Sequence, residues 1–264
     1  MTIVALTPLD LAMASGLIAM LALLSWRMRL GLGPRLIIAA FRTTVQLLLI
    51  GLVLKALFTR VHLGWMAAIA AVMLLVAGRE VMGRQKRKFS GWWGFGMGTL
   101  SMFISSFSIT VLALTVIISV EPWYTPQYAV PLLGMMLGNT MNGISIGLDR
   151  LTTSAWDLRA KIEGRLMLGY TWTRAIAGIR RESIRSGLIP IINSMMAAGL
   201  VSLPGMMTGQ ILGGNPPMEA VKYQILIMFL IAGGTGMGTM AAIWMGSRRL
   251  FDERQRLRLD RLRK

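Results

Sequence analysis

Residues 95–120 read FGMGTLSMFISSFSITVLALTVIISV and contain no charged side chain. An α-helix rises about 1.5 Å per residue, so this run is long enough to cross a hydrocarbon layer about 30 Å thick. Similar runs recur along the 264 residues, of which 55% are hydrophobic and 15% are charged, against roughly 25% charged in globular proteins. The composition predicts an all-α integral membrane protein and excludes a soluble enzyme built on one large core.

Seven apolar runs are long enough to predict transmembrane helices, all within a single transmembrane domain, residues 1–264. The runs cover residues 9–26, 36–58, 63–78, 95–120, 129–148, 187–213 and 221–245. The third run is short, and the sixth is long and interrupted by Pro204-Gly205. Glycines four residues apart favour close helix packing in lipid. These pairs are Gly94/Gly98, Gly134/Gly138, Gly143/Gly147, Gly205/Gly209 and Gly234/Gly238.

The distribution of basic residues predicts which way the helices point. The net charge is +17, and most lysines and arginines lie in every second loop and in the tail. These segments cover residues 27–35, 79–88, 150–185 and 248–264, whereas the intervening loops hold Lys55, Arg60 and Lys222. Because cytoplasmic loops carry the excess of Lys and Arg, the N-terminus is predicted outside and the C-terminus inside. Basic residues spread over alternate loops also argue against a nucleic-acid partner.

Several kinds of catalytic machinery are missing from the sequence. Cysteine is absent and His62 is the sole histidine, so thiolate sites and a Ser-His-Asp triad lack material. No glycine is followed by lysine, so the loop that cradles ATP phosphates is missing as well. The prediction is a chain that is not an enzyme, with no catalytic residues, no cofactor bound by this chain and its metal ligands unknown.

The only substantial polar stretch is residues 149–186, which predicts a cytoplasmic helical hairpin. The fifth span is expected to continue into it, turn at Gly169 and return as the sixth span, with Thr171 or Thr173 as a candidate helix cap. Glu163 and Arg174 are the candidate polar contacts for a docking partner. Residues 247–264 are predicted to form a basic cytoplasmic tail, which suits anionic lipid.

Residues 163–169, Glu-Gly-Arg-Leu-Met-Leu-Gly, resemble the Glu-Ala-Ala-x-x-x-Gly coupling motif of ABC-transporter permeases, with Gly-Arg in place of Ala-Ala. A more distinctive run is Val-Ser-Leu-Pro-Gly-Met-Met-Thr-Gly-Gln at residues 201–210. Together with Arg-Thr-Thr-Val-Gln-Leu at 42–47 and Gly-Asn-Thr-Met-Asn at 138–142, it resembles the iron-export permease family, which includes plant aluminium-tolerance permeases. The resemblance covers nearly the whole chain.

This resemblance implies the membrane subunit of an ABC-type exporter in the plasma (inner) membrane, associated with metal export or metal resistance. It also implies a separate ABC ATPase subunit, on which ATP and Mg are expected. Because ABC transporters use two membrane halves, we expect a homodimer of this chain. Glu163, Gly169, Thr171 and Arg174 are then the predicted ATPase-coupling residues.

Polar groups and a broken helix within the spans suggest a translocation pathway, since buried polar groups in lipid are costly. The predicted pathway residues are Arg42, Gln46, Asn139, Asn142, Asn193, Pro204, Met206, Met207 and Gln210. For the asparagines, lining the pathway and structural hydrogen bonding are both open. A hydroxyl stripe, Ser101, Ser105, Ser108 and Thr115, is predicted to share one helix face and to bond between helices.

Two other functions remain open from the sequence. A stand-alone secondary transporter driven by an ion gradient would need a titratable relay, yet no Asp, Glu or His lies in the middle of a span. A membrane scaffold protein would use the polar stripes for packing alone. An ATPase that is retained through residues 163–174 would distinguish the ABC subunit from both.

Overall fold

The computed structural model describes residues 7–59 and 62–263, and nearly all of their regular structure is helical. The chain forms two compact units. The first contains Met1–Val61 and Leu212–Gly214, and the second contains His62–Ile211 and Asn215–Lys264. The predicted outer-loop residue Arg60 and the tail residue Lys264 lie outside the described residues.

The first unit is a pair of helices, α1 (Pro8–Arg27) and α2 (Gly33–Thr59). A capping box starts α1, because the Thr7 hydroxyl accepts a hydrogen bond from the Asp10 N–H and the Asp10 carboxylate accepts one from the Thr7 N–H. The turn between the helices uses Gly31 at φ +68°, and the Leu32 N–H donates to the Ser25 hydroxyl at 3.2 Å. Both helices expose apolar side chains, as a lipid-facing pair would.

The second unit contains the remaining elements in the following order. They are α3 (Leu63–Gly83), β1 (Lys88–Phe89), α4 (Trp92–Met102), a π-helical turn (Phe103–Phe107), α5 (Ser108–Leu112), a second π-helical turn (Ala113–Ile117), α6 (Pro126–Asp157), α7 (Arg159–Met167), α8 (Trp172–Ala175), α9 (Ala177–Ala197), α10 (Gly205–Leu212), α11 (Pro217–Arg249), a 3₁₀ turn (Leu259–Arg261) and β2 (Leu262–Arg263). The long helix α6 is central, since it packs against α3, α9 and α11.

Glycines allow α6, α9 and α11 to approach closely. A Cβ atom on Gly187 would lie 2.6 Å from the carbonyl oxygen of Gly143, and one on Gly143 would lie 2.6 Å from the Thr239 hydroxyl. No side chain fits there, so the predicted packing role is confirmed for Gly143 and its partner Gly147. It is wrong for Gly205/Gly209, where a Cβ would meet nothing within 4 Å.

Five helical segments among the described residues are long and apolar enough to cross a membrane, which confirms an all-α membrane protein. They are Pro8–Arg27, Gly33–Lys55, Leu63–Gly83, Trp92–Ile117 and Pro217–Arg249. Each contains or overlaps one of the predicted spans. The count of seven and the orientation of the N- and C-termini stay predictions.

The predicted sixth span, residues 187–213, is not one helix. Helix α9 begins ten residues earlier, at Ala177, and ends at Ala197, while α10 starts at Gly205. Between them Gly199 adopts φ +86°, and Ala198 forms a β-bridge with Ser202. A residue that precedes proline disfavours the helical conformation, and proline lacks an N–H donor, so Pro204 suits the end of such a break.

The predicted hydroxyl stripe shares a buried face only in its first half, and there the Ser105 hydroxyl donates to the Ser101 carbonyl of its own helical segment and not to another helix. Ser101 and Ser105 are buried, but Ser108 and Thr115 are exposed. The cause is the π-helical turn at Phe103–Phe107, since i→i+5 bonding adds a residue to the turn and shifts the buried face. Ser106 and Thr110 are buried instead.

Candidate coupling hairpin and translocation residues

The chain forms a helical hairpin after α6. Helix α7 is its first arm, and α8 with the start of α9 is its second arm. Helix α7 ends in a turn in which Gly169 adopts φ +82°, a conformation that favours glycine. The Gly169 N–H donates to the Leu166 carbonyl at 3.0 Å, and the Tyr170 N–H donates to the Arg165 carbonyl at 3.1 Å. These bonds close the end of α7 and reverse the chain into α8 and α9.

The hairpin tip, defined as residues 167–170, is apolar and exposed. Met167 is 87% exposed and Leu168 is 78% exposed. The candidate coupling residues Glu163 and Arg174 flank the tip, and both are exposed. The tip therefore offers an apolar contact patch with charged side chains beside it.

The underside of the hairpin is well anchored. Ile162 on α7 and Ala175 and Ile176 at the end of α8 are buried, and the Arg165 guanidinium donates to the Ala175 carbonyl at 3.1 Å. Thr171 precedes α8 as predicted, but its hydroxyl lies 2.9 Å from the Thr173 hydroxyl and makes no capping bond to the backbone. The first turn is held instead by the Thr171 carbonyl, which accepts from the Arg174 N–H at 3.0 Å.

The tail, residues 250–263, folds back against the hairpin. The backbone N–H of Trp172 donates to Gln255 Oε1 at 2.9 Å. The centre of the Trp172 ring lies 5.7 Å from that of the Phe251 ring. Strand β2 then pairs antiparallel with β1, so that Leu262 lies opposite Phe89. The tail thus connects the hairpin to the loop that follows α3.

Acidic side chains fix the shape of the tail. The Asp252 carboxylate accepts from the backbone N–H of Arg256 at 2.8 Å and from its guanidinium at 2.9 Å. The backbone hydrogen bond is the main reason that the pKa of Asp252 is lowered. Two hydrogen bonds from Arg258 likewise lower the pKa of Asp260. Both carboxylates therefore stay ionised well into the acidic range.

A groove of about 630 Å³ separates the hairpin tip from the turn of the tail. On the hairpin side it is lined by Glu163, Leu166 and the tip residues Met167, Gly169 and Tyr170, and on the tail side by residues 254–257. The predicted coupling residues Glu163 and Gly169 therefore share one surface with the tail.

The predicted translocation residues are spread over several helices. Arg42 and Gln46 lie on α2 in the first unit, with exposed side chains. In the second unit, the half-buried Asn139 donates its amide to the Met135 carbonyl at 2.9 Å. Asn142 is exposed and accepts a hydrogen bond from the Arg84 guanidinium. These bonds give both asparagines a structural partner.

The remaining candidates cluster around the break after α9. Asn193 is exposed on α9, whereas Pro204, Met206 and Met207 are half-buried. Gln210 is half-buried too, and its side-chain carbonyl oxygen is shielded from solvent without a hydrogen-bond partner.

Comparison with known proteins settles the family. The sequence matches the family described as "Uncharacterised protein family (UPF0014)" over residues 8–251. The chain belongs to the UPF0014 family.

Similar UPF0014 proteins come from bacteria and plants. A UPF0014 membrane protein of Synechocystis sp. is 39% identical over 94% of this chain and 95% of its own length. The Escherichia coli protein named "Probable iron export permease protein FetB" is 32% identical over 97% of this chain and 96% of its own length. Arabidopsis thaliana "Protein ALUMINUM SENSITIVE 3" is 30% identical over 89% of this chain and 84% of its own length. These relatives confirm the resemblance to iron-export and plant aluminium-related permeases. No solved structure matches the chain.

The UPF0014 match contains the hairpin and the break after α9, but it ends at Phe251, before the acidic turn of the tail. Sequence reasoning missed the contacts of this tail, in particular Gln255 with Trp172. One signal was present, since Leu257, Leu259 and Leu262 are spaced through an otherwise charged segment. Such isolated apolar residues indicate that a basic segment has a surface to pack against.

Within the part of the chain that the structure describes, no three His, Cys, Asp or Glu side chains are grouped closely enough to hold a metal ion.

Proposed function

We propose that this UPF0014 chain is the membrane subunit of an ABC-type exporter that works as a homodimer in the plasma (inner) membrane with a separate ATPase. The observation that carries the proposal is the apolar hairpin tip on its anchored stem. Met167 and Leu168 are exposed while Ile162 and Ile176 beneath them are buried. A water-exposed apolar patch with charged neighbours is typical of a protein interface.

The helices behind the tip offer a route for mechanical coupling. ATP-driven closure of the ATPase would pull on residues 166–174. Because α6 and α9 are in backbone contact at Gly143 and Gly187, they would move together. Such a movement of packed helices toward the break after α9 is the kind of rigid-element shift that opens transport pathways.

The proposed cargo is iron or another metal ion, in line with the name of the Escherichia coli relative. Amide, hydroxyl and carbonyl oxygens of the predicted pathway would contact the cargo weakly, because the spans carry no carboxylate cage. A metal that passes as a complex would need even fewer direct ligands.

Copurification tests the proposal directly. The tagged chain is purified from native membranes in mild detergent, and its partners are identified by mass spectrometry. We expect a stoichiometric ABC ATPase, and reconstituted vesicles that move radioactive iron only when ATP is supplied on the ATPase side. Recovery of a chain without partners that still transports along an ion gradient would contradict the proposal and support a secondary transporter.

A further inference from the structure

A second, larger cavity lies on the other side of the tail. It has a volume of about 740 Å³ and opens between the start of α4, the end of α11 and the turn of the tail. Trp93, Trp244 and the methionines Met97 and Met245 form its apolar wall. Its polar wall contains Arg248, Arg249, Arg254, Arg256 and Arg261, with Asp252 and Glu253.

The cations of this cavity exceed its anions. Asp252 is already engaged by Arg256 and Arg258. Among residues 7–59 and 62–263, no carboxylate lies within ion-pair distance of Arg248, Arg249 or Arg254. The cavity therefore concentrates positive charge that the described protein leaves unneutralised.

The side chains of Arg249 and Arg261 are held in place by contacts within the protein. The guanidinium carbon of Arg249 lies 4.5 Å above the Trp93 ring. Arg261 donates to the Arg249 carbonyl at 2.7 Å and also to the Phe251 carbonyl. Stacking and backbone bonding reduce the side-chain entropy that binding an anion would otherwise cost.

The cavity also lies at a defined membrane level. Two candidate spans end beside it, since Trp92–Ile117 begins there and Pro217–Arg249 ends there. Trp92, Trp93 and Trp244 are all exposed at these ends. Tryptophan is enriched where hydrocarbon meets water, so the arginines are placed at the depth of lipid headgroups.

We propose that this cavity binds the phosphate headgroup of an anionic phospholipid through Arg248 and Arg249. Guanidinium groups donate in a planar fork that matches phosphate oxygens, and basic pockets between helix ends bind anionic headgroups. The apolar wall formed by Trp244 and the methionines suits the start of an acyl chain. A free phosphate ion would use the arginines alone.

Native mass spectrometry of the full chain tests this inference without any ATPase or transport assay. The protein is purified in nonionic detergent and mixed with equimolar phosphatidylglycerol and phosphatidylcholine. We expect phosphatidylglycerol to be retained preferentially and to resist an excess of inorganic phosphate. Equal retention of both lipids would overturn the proposal, and complete displacement by inorganic phosphate would assign the site to a free anion instead.

Arginine substitutions locate the site. The double variant Arg248→Gln with Arg249→Gln should retain phosphatidylglycerol about 30-fold less well, at about fivefold per arginine. The matched control, Arg150→Gln with Arg181→Gln, removes the same charge from exposed positions on α6 and α9 and should bind as the wild type does. An equal loss in both variants would reduce the effect to net charge and contradict the site.

A single substitution protects this test against misfolding. Arg248 is exposed and near the Trp172 ring, so Arg248→Gln should fold even where the double variant does not. It should lower retention about fivefold. Unchanged retention in this folded variant would rule out the proposed site.

Discussion

Two turns with the same backbone conformation lie before and after the segment α8–α9, in different chemical surroundings. Before the helix, the turn at Gly169 has a positive φ and exposes Met167 and Leu168. After the helix, the turn at Gly199 has a positive φ as well, with Leu200 92% exposed and Val201 86% exposed. By backbone conformation and apolar exposure alone, the two turns are nearly indistinguishable.

The two turns differ in the number of charged residues around them. Glu163, Arg165 and Arg174 surround the first turn, and the tail adds Arg254 and Arg256. Around the second turn, the sequence contains no charged residue from position 186 to position 218. An exposed apolar turn among charges suits an aqueous docking surface, whereas an exposed apolar turn in a long uncharged stretch suits contact with lipid or with a membrane-embedded pathway. Apolar exposure therefore needs its charge context before it can be assigned a partner.

The largest effect is expected when the hairpin tip is made acidic. Met167→Asp with Leu168→Asp places two carboxylates in the proposed ATPase contact, where unpaired charge at the centre of an interface is costly. We expect ATPase copurification to fall about 30-fold or more, measured by quantitative mass spectrometry and normalised to the amount of chain in the membrane.

The matched control makes the same change at the other turn. Leu200→Asp with Val201→Asp should leave the ATPase bound to each chain that reaches the membrane. Its cost should appear as lower membrane yield, since carboxylates in a long uncharged stretch are costly to place in lipid. Loss of the ATPase in the control but not in the tip variant would reverse our assignment of the two turns.

A smaller effect is expected from the break after α9. Pro204→Ala would favour a continuous helix, and Gln210→Leu would remove the shielded amide oxygen that has no partner. Each should lower transport severalfold while expression and ATPase binding stay intact, because the proposed ATPase contact, the hairpin tip, lies before α9 and not after it. Wild-type transport rates in reconstituted vesicles would remove this break from the pathway.

Glycine replacement compares the two turns on an equal footing. Gly169→Ala and Gly199→Ala should each cost about 1 to 2 kcal/mol, because both force a side chain into the left-handed region. Thermal unfolding in detergent measures this loss. Only Gly169→Ala, alone or with Glu163→Gln, should also lower the number of ions transported per ATP hydrolysed. Full coupling in that variant would separate the turn from energy transmission.

The smallest effect is expected at the hydrogen bond between Gln255 and Trp172, which joins the tail to the hairpin. Gln255→Ala removes the acceptor for the Trp172 N–H and should weaken tail docking by about 1 kcal/mol. Limited trypsin digestion should then cut faster after the exposed Arg254 and Arg256. Arg263→Gln is the control, since its side chain is exposed and its part in β2 is made by the backbone.

Sequence reasoning succeeded where a pattern depends on solvent. Long apolar runs mark the five segments that could span a membrane, because a helix in lipid must be apolar nearly all round. It failed where geometry inserts a residue, as at the π-helical turn that exposes Ser108 and buries Thr110. Within residues 187–213 the interruption expected at Pro204-Gly205 is present, but the break begins earlier, at Ala198, because the Pro-Gly pair marks where the next helix starts and not where α9 ends.

The candidate site also contains features that the sequence predicted and features that it did not. The motif around Gly169 predicted its turn, because glycine is favoured where φ is positive. Its exposed neighbours Met167 and Leu168 were not singled out, because only the fold reveals which side of α7 is covered. The contact of Gln255 with Trp172 joins residues distant in the chain, and no local pattern encodes such a pair.

The pairing of β1 with β2 has a consequence for the order of biosynthesis. Residues 88 and 89 leave the ribosome long before residues 262 and 263, so the loop after α3 must wait for its partner strand until every helix has been made. During that interval Phe89, buried in the finished protein, lacks the tail residue Leu262 that packs opposite it. A chain stalled or truncated before residue 262 would keep this apolar surface uncovered, and membrane quality-control proteases could distinguish it from a completed chain.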